Sequence, residues 1–188
     1  MIRIIATALL IGLAQPALSA SPEDPVRSVM DLATALWSDE PSVEGQDYFD
    51  KNRLETLYSK AFVEAYRQAA KYPIFDENGG PFGYDVITNS QDGCPLEAVA
   101  VANQGETGGV HDIKVTFKLW TCYDDNASKE TVSEVHFRVV TEDGRPVIAD
   151  IERMVDGKPN SLVAEMKEIA KTGAELEANP EAGKPDFE

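Results

Sequence analysis

One stretch near the middle of the chain, residues 110–123 (VHDIKVTFKLWTCY), constrains the fold more than any other. Polar side chains alternate in it with four apolar ones, Ile113, Val115, Phe117 and Leu119. A period of two is typical of a β-strand with one buried face. Turn sequences flank the stretch on both sides and indicate hairpins. We therefore expect it to form the spine of a curved antiparallel sheet.

The first twenty residues have the pattern of a secretory signal peptide. Arg3 gives a positive start, residues 4–13 are apolar, and residues 17–20 (ALSA) resemble a cleavage site. The apolar run is shorter than the ~20 residues needed to span hydrocarbon, and no later stretch approaches that length. We predict a periplasmic or secreted protein, cleaved after Ala20, with no membrane insertion of the mature chain.

The formal net charge is −16 at pH 7. Cleavage after Ala20 would remove Arg3 and no acid, which leaves −17 on the mature chain. A charge of this sign repels the phosphates of nucleic acids and of anionic lipids, so neither is expected as a partner. High solubility explains the charge most simply, and a cationic partner remains open.

The chain has two cysteines, Cys94 and Cys122. In the oxidising compartment that a signal peptide implies, a disulfide between them is expected. The expected hairpin register places Cys94 close to Cys122 but not beside it, so a bulge or a crossing loop is needed. No CxxC is present, and two thiols with His111 and His136 do not readily supply a zinc site. No metal or cofactor is predicted.

Helical patterns come first in the chain. Residues 25–37 and 50–72 place apolar side chains three and four positions apart, and Ser59 is a possible cap for a break in the second run. The expected strands follow at 82–89, 96–102, 110–123, 132–141 and 146–155. Helices followed by a meander of four to five antiparallel strands predict an α+β fold.

A further helix, capped by Asn160 or Ser161, is expected to end at Gly173. Residues 21–172 are therefore read as one domain. Residues 173–188 are acidic, contain two prolines and show no apolar period, so a disordered tail is predicted.

This order resembles the cone-shaped fold of nuclear transport factor two-like, ketosteroid-isomerase-like and polyketide-cyclase-like proteins. The similarity covers residues 25–156 and rests on the helical run ending near Pro73, on the polar pieces 84–85 and 91–92, and on the closing strand 147–152 (VIADIE). These pieces look most like a bacterial family of exported proteins with a domain of unknown function. The resemblance implies a curved sheet around helices, often with a cavity, and gives no activity.

The densest polar group flanked by apolar sequence comprises five candidate ligand-binding residues: Tyr84, Asp85, Asn89, Gln91 and Asp92. A carboxylate in an apolar pocket has a raised pKa and can act as a base near neutral pH. Asn and Asp are also ordinary turn formers that bond their own backbone. We expect Asp85 and Asp92 mainly to organise the turn into the strand at 96–102, and we assign no catalytic residue.

The side chains on the last two strands suggest which face meets water. His136, Arg138, Asp150 and Glu152 fall opposite apolar residues and are expected on the solvent face, although Ile148 and Met154 make the assignment of the last strand ambiguous. The inward face then consists almost wholly of apolar residues. Trp120 stands on the polar side and is open to a packing role or a partner.

Three functions fit these observations. The first is a non-catalytic exported protein that binds a small apolar ligand or a protein partner. The second is an isomerase-type or cyclase-type enzyme that uses Asp85 or Asp92 with Tyr84. The third is an envelope inhibitor or immunity protein whose acidic surface blocks a basic partner. The absence of an assembled polar site in the sequence favours the first.

Overall fold

Five helices and five strands form the fold in a computed structural model that describes residues 20–40, 43, 46–73, 80–155 and 157–179. The helices are α1 (Asp24–Leu36), α2 (Lys51–Thr56), α3 (Lys60–Ala69), α4 (Asn126–Glu130) and α5 (Leu162–Ala178). The strands are β1 (Glu97–Thr107), β2 (Val110–Lys118), β3 (Ser133–Glu142), β4 (Arg145–Val155) and β5 (Lys158–Ser161). The predicted signal peptide, residues 1–20, lies outside the described residues except for Ala20.

The strands pair antiparallel in the order β1-β2-β3-β4-β5, and the sheet is open. Helices α1, α3 and α5 contact β4 and cover one face, here called the inward face. Side chains of this face are fully buried, for example Ile113, Phe137 and Ile151 at 0 % exposure. The predicted α+β class, with a four- to five-stranded antiparallel sheet and a C-terminal helix, is confirmed.

The long helical run expected at 50–72 is broken into α2 and α3. Ser59 caps α3, because its hydroxyl accepts a hydrogen bond from the amide of Phe62. The main chain leaves the helix here to bond the edge of β4: Ser59 N–H donates to the carbonyl of Ile148, and Ile148 N–H donates to the carbonyl of Leu57. The possible break predicted at Ser59 is confirmed.

The strand predicted at 82–89 is wrong. These residues form consecutive turns, with a single bridge between Asp85 and Ser90. The carboxylate of Asp85 accepts the amides of Ile87 and Thr88 at 2.9 and 2.8 Å, and a strand would need those amides for a neighbouring strand.

Strand β2 is shorter than the predicted 110–123, because the chain turns after Leu119. The carbonyl of Leu119 accepts the amide of Cys94 at 2.8 Å, and the turn returns Cys122 to Cys94. The disulfide between the two cysteines has a Cα–Cα distance of 5.7 Å and confirms the predicted pairing. A register shift near the start of β1 is the bulge that this pairing needs.

Two short elements were missed by the sequence patterns. The sequence read as a turn after residue 123 contains α4, because Asp125 caps it by accepting the amide of Ser128 at 2.7 Å. The sheet was expected to end near residue 156, but β5 follows and pairs with the end of β4. Pro159 is tolerated in β5 because this strand lies at the edge of the sheet.

Helix α5 does not end at Gly173 as predicted but continues to Ala178. A Cβ atom at position 173 would overlap the ring of Tyr72, so glycine is there for close packing rather than as a helix terminator. Residues 173–178 are therefore helical and not part of a disordered tail. The rest of the predicted tail, 180–188, lies outside the described residues.

A bulge in β4 decides which of its side chains point inward. Arg138 pairs with Asp150 and Val139 pairs with Ile148, so Ala149 is an extra residue on β4. The bulge lets both Ile148 and Ile151 face inward, which resolves the ambiguity in the sequence pattern.

Candidate functional site

The turn segment 80–90 borders two clefts. The first, here called the aromatic cleft, has a volume of about 240 Å³ and is lined by Asp47, Tyr48, Phe49, Tyr66, Gly80, Pro81, Phe82, Tyr84, Asp85 and Val86. The second, here called the sheet-end cleft, has a volume of about 280 Å³ and is lined by Ile87, Thr88, Asn89, Phe117, Thr131, Val132, Ser133, Glu134, Arg153 and Met154.

Aromatic rings make up the walls of the aromatic cleft. The ring of Phe49 lies 4.7 Å from that of Tyr66 and 5.9 Å from that of Phe82, measured between centroids. Phe82 in turn meets Tyr84 edge-on at 6.0 Å. Phe49 is buried in the core, whereas Tyr66, Phe82 and Tyr84 are half-buried, so their outer faces remain available to a ligand.

Asp85 holds three parts of the chain together at the edge of this cleft. One carboxylate oxygen accepts the Trp37 indole N–H at 3.0 Å and the Tyr48 hydroxyl at 2.7 Å. The other accepts the amides of Ile87 and Thr88 and, at 3.2 Å, the Thr88 hydroxyl. Five donors therefore converge on one carboxylate, which ties the turn to α1 and to the segment before α2.

Tyr84 belongs to a second polar cluster, which the sequence did not reveal. Its hydroxyl contacts both carboxylate oxygens of Glu165, at 2.6 and 2.7 Å, and accepts a hydrogen bond from Arg153. Arg153 also donates to Asn160 and forms a salt bridge with Glu165. Its guanidinium lies 5.3 Å from the centre of the Tyr84 ring, and the whole residue is 2 % exposed.

The tyrosines of the aromatic cleft keep their protons at neutral pH. Burial, with the nearby carboxylate of Asp85, raises the pKa of Tyr48 far above its ordinary value. Burial and the charge of Asp47 raise the pKa of Tyr66 to about 12. Burial and the hydrogen bond to Glu165 raise the pKa of Tyr84. These hydroxyls can therefore bind a ligand as neutral groups, and none is prepared to act as a base.

The five candidate residues do not form one site. Tyr84 and Asp85 line the aromatic cleft, while Asn89, in a left-handed conformation with φ of 55°, lines the sheet-end cleft. The side chain of Gln91 donates to the carbonyl of Gly83 at 2.7 Å and fixes the turn. Asp92 is exposed, and only its main-chain oxygen is bonded, by the hydroxyl of Ser90. Asp85 thus organises the turn, as predicted, but the carboxylate of Asp92 makes no bond within the described residues.

Three of the four charged residues expected on the solvent face, His136, Arg138 and Glu152, belong to a network of ion pairs. The fourth, Asp150, instead accepts the hydroxyl of Ser161 and the amide of Val163 at the start of α5. His136 contacts Asp112 at 2.7 Å through Nδ1 and Glu134 at 2.9 Å through Nε2. Arg138 binds Glu152 across the strands. Every group in this network has an opposite charge beside it, which indicates a structural role.

A third cleft, of about 380 Å³, lies between α3 and the hairpin of β3 and β4. Its rim carries seven charged side chains of both signs: Glu55, Lys60, Glu64, Arg67, Glu142, Asp143 and Arg145. Lys60 and Asp143 already pair at 2.9 Å. Buried Leu54, Tyr58, Val63 and Val147 also line this cleft, and the mixed signs of its rim charges do not favour an ionic ligand of either sign.

Two searches for other functional features gave negative results. Across the residues that the structure describes, no three His, Cys, Asp or Glu side chains converge in a way that would hold a metal ion. In the same residues, no helix combines the length and apolar character needed to cross a membrane.

Comparison of the chain with protein-family models, with curated proteins and with solved structures finds no match. The site must therefore be interpreted from its own geometry. Trp37, Tyr48, Arg153 and Glu165 are the residues of the two clusters that sequence reasoning did not single out. Of these four residues, only Arg153 could have been found from the sequence. It follows Ile151 by two positions on the same strand and so falls on the same face as that apolar residue.

Proposed function

We propose that the mature protein is an exported, non-catalytic binding protein whose aromatic cleft takes a small apolar ligand bearing a ring. The observation that carries this proposal is the wall of the cleft, where half-buried rings of Tyr66, Phe82 and Tyr84 stand beside the buried Phe49. Aromatic faces bind other rings in offset or edge-on contact. Protonated tyrosine hydroxyls supply hydrogen bonds at the same place.

The size of the cleft limits the ligand. Ligand pockets commonly have volumes of about 300–1,000 Å³, and the aromatic cleft, at about 240 Å³, lies just below that range. It fits one ring or a pair of fused rings. A side chain of a protein partner has the same chemistry and is the other occupant that this cleft would accept.

The hydrogen bonds of the candidate residues favour binding over acid–base catalysis. Asp85 accepts five donors, so its lone pairs are engaged in holding the turn. The hydroxyl of Tyr84 is engaged by Glu165 and Arg153 and makes no bond to Asp85. The carboxylate of Asp92 is unbonded in the described fold, but Asp92 is exposed and lines neither cleft. The isomerase-type or cyclase-type alternative needs a free acid or base inside a cleft.

The packing of the sheet also favours a ligand outside the core. Ile113, Val115 and Phe137 on the inward face are 0 % exposed, which leaves no space beside them for even a water molecule. A ligand is therefore not expected against this part of the sheet, which favours the aromatic cleft at the edge of the core. The disulfide between Cys94 and Cys122 supports export, because such bonds persist in oxidising compartments.

The proposal is tested by nuclear magnetic resonance titration with indole. Protein is purified from the periplasmic fraction, where its N-terminal residue is expected to be Ser21. Indole should shift resonances of Tyr66, Phe82 and Tyr84, with a dissociation constant of roughly 1 mM or lower, which corresponds to about 4 kcal/mol. Phe82→Ala should weaken binding at least fivefold.

Tyr123→Ala is the matched control, because Tyr123 is a 43 % exposed aromatic residue outside the cleft. It should leave the affinity for indole unchanged. Shifts scattered over the surface, or equal affinity in the Phe82→Ala protein, would contradict the proposed site. A mature chain that retains Met1 would contradict export.

A further inference from the structure

The sheet-end cleft has an apolar floor and an apolar mouth. Ile87 and Phe117 form the floor and are each 1 % exposed. Val132 and Met154, at the mouth, are 57 % and 37 % exposed, and they belong to the few large apolar side chains that the described fold leaves in contact with water. Exposed apolar groups around a concavity are typical of a ligand site.

Arg153 is the one cation in the lining of this cleft, which also contains the polar residues Thr88, Asn89, Thr131, Ser133 and Glu134. Its two terminal nitrogens are bonded to Tyr84, Asn160 and Glu165, and none of these three residues lines the cleft. The remaining donor, Nε–H, is buried and has no hydrogen-bond partner within the described residues. Buried donors in proteins are almost always bonded, so the Nε–H is open to an acceptor from outside the chain, a water or a ligand oxygen. The hydroxyl of Tyr58 and Nδ1 of His111 also lack partners in the described fold, but neither lines this cleft.

The charges around the cleft define what kind of acceptor fits. The positive charge of Arg153 is already balanced by Glu165. Glu134, the acid that lines the cleft, pairs with His136 at 2.9 Å and with Lys114 at 3.5 Å. An anionic ligand would find no free positive charge here, and the chain as a whole carries −16. A neutral acceptor such as a carbonyl oxygen needs no balancing positive charge and is not repelled by the acidic chain.

We propose that the sheet-end cleft binds a small, neutral, apolar carbonyl compound. Its oxygen accepts the hydrogen bond of Arg153 Nε–H, and its hydrocarbon part packs between Phe117, Val132 and Met154. This site is separate from the aromatic cleft and does not depend on the function proposed for it.

Cyclohexanone is the probe, and the Nε–H signal of Arg153 in a ¹H–¹⁵N spectrum is the direct readout. Saturating ketone should move this signal downfield and shift the amides of residues 87–89 and 132–134. The signal is assigned by its loss in Arg153→Lys. If that variant does not fold, the assignment comes from nuclear Overhauser contacts of the Nε–H with the Tyr84 ring in the unaltered protein.

Two variants at the mouth test the site without disturbing the core. Val132→Ser and Met154→Ser should each weaken cyclohexanone binding at least threefold. Val99→Ser, a change at a valine 36 % exposed on β1, is the matched control and should bind as the unaltered protein does. Phe82→Ala should also have no effect, which separates this site from the aromatic cleft.

Three results would overturn the proposal. The first is the absence of any shift at residues 87–89 and 132–134. The second is a shift of those amides with an unmoved Arg153 Nε–H, since binding would then be apolar only. The third is unchanged affinity in both mouth variants.

Discussion

At the scale of single residues, Asp85 shows how one carboxylate can hold a functional surface in place. It connects Trp37 at the end of α1, Tyr48 before α2 and the turn at Ile87 and Thr88. Two of these groups are aromatic side chains with a polar edge, which is how such residues usually bury their rings. The aromatic cleft therefore depends on Asp85 for its shape, even if no ligand touches it.

Replacing this carboxylate with an amide should destabilise the fold. In Asp85→Asn, one acceptor oxygen becomes an NH₂ group that faces donors, so at least one charged hydrogen bond is lost. We expect the free energy of unfolding to fall by roughly 1.5–3 kcal/mol, measured by urea denaturation. Asp92→Asn is the control and should change it by less than about 0.5 kcal/mol, because Asp92 is exposed. Equal losses in the two variants would refute the anchoring role.

The turn-forming role of Asp85 was predictable from the sequence, while its bonds to Trp37 and Tyr48 and the burial of Arg153 were not. An Asp side chain commonly accepts the main-chain amides two and three residues later and so forms a turn, independently of the rest of the fold. Arg153 depends on β5 and α5, since Asn160 and Glu165 must fold back to compensate its charge. Sequence patterns rank arginine as exposed because an uncompensated cation in a core is unfavourable.

At the scale of elements, the alternation of polar and apolar residues predicted the sheet, whereas its bulge and its short additional elements were not predicted. The helices before the sheet, the long β2–β3–β4 meander and the Asp143–Gly144 turn follow from local patterns. Both residues of that turn have positive φ, 51° and 76°, as a tight hairpin requires. The bulge at Ala149, the four-residue β5 and the short α4 have weak local signals and depend on contacts distant in sequence.

The solvent face of β2, β3 and β4 carries a pH-dependent contribution to stability. Partial burial lowers the pKa of His136, but hydrogen bonds to Glu134 and Asp112 outweigh this effect and raise the pKa above its ordinary 6.5. The same contact with His136 lowers the pKa of Glu134. Lys114 and Arg138 also lie nearby and compete for these carboxylates.

Since the folded-state pKa of His136 is raised, its contribution is fully present below about pH 6.5 and is lost as pH rises through the folded-state value. His136→Gln should therefore lower the free energy of unfolding at about pH 5.5 and have little effect near pH 9. Urea denaturation at the two pH values measures the difference. Lys118→Gln is the control: it removes the salt bridge with Glu130 and leaves His136 in place, so its effect should not change with pH. A pH-independent effect of His136→Gln would contradict the assignment.

At the scale of the whole molecule, the disulfide secures the weakest edge of the sheet. Strand β1 is exposed or half-buried along its full length, and it pairs only with β2 in the described fold. An open edge is prone to pair with other chains. Cys94 lies three residues before β1, so its bond to Cys122 anchors the start of this edge.

Removing both cysteines, as Cys94→Ala with Cys122→Ala, should lower the free energy of unfolding by roughly 3–4 kcal/mol, because the unfolded chain regains the freedom of a 28-residue separation. Urea denaturation measures this loss, and sedimentation should reveal more self-association than in the unaltered protein. The control is a thiol titration of the unaltered, denatured and unreduced protein, which should find no free thiol. Two reactive thiols, or unchanged stability, would contradict the role of the bridge.

Helix α5 closes the core with Leu162 and Met166, both 0 % exposed, and it brings Glu165 to the buried charge of Arg153. It is made after the whole sheet, because synthesis runs from the N-terminus. Until α5 packs on the sheet, Arg153 on the inward face lacks its partner Glu165, and the side of the core that α5 covers is open. If the chain is exported N-terminus first, as we propose, its core would close only after α5 had crossed the membrane. The core can therefore close only after α5 has been made, although all five strands precede it in the chain.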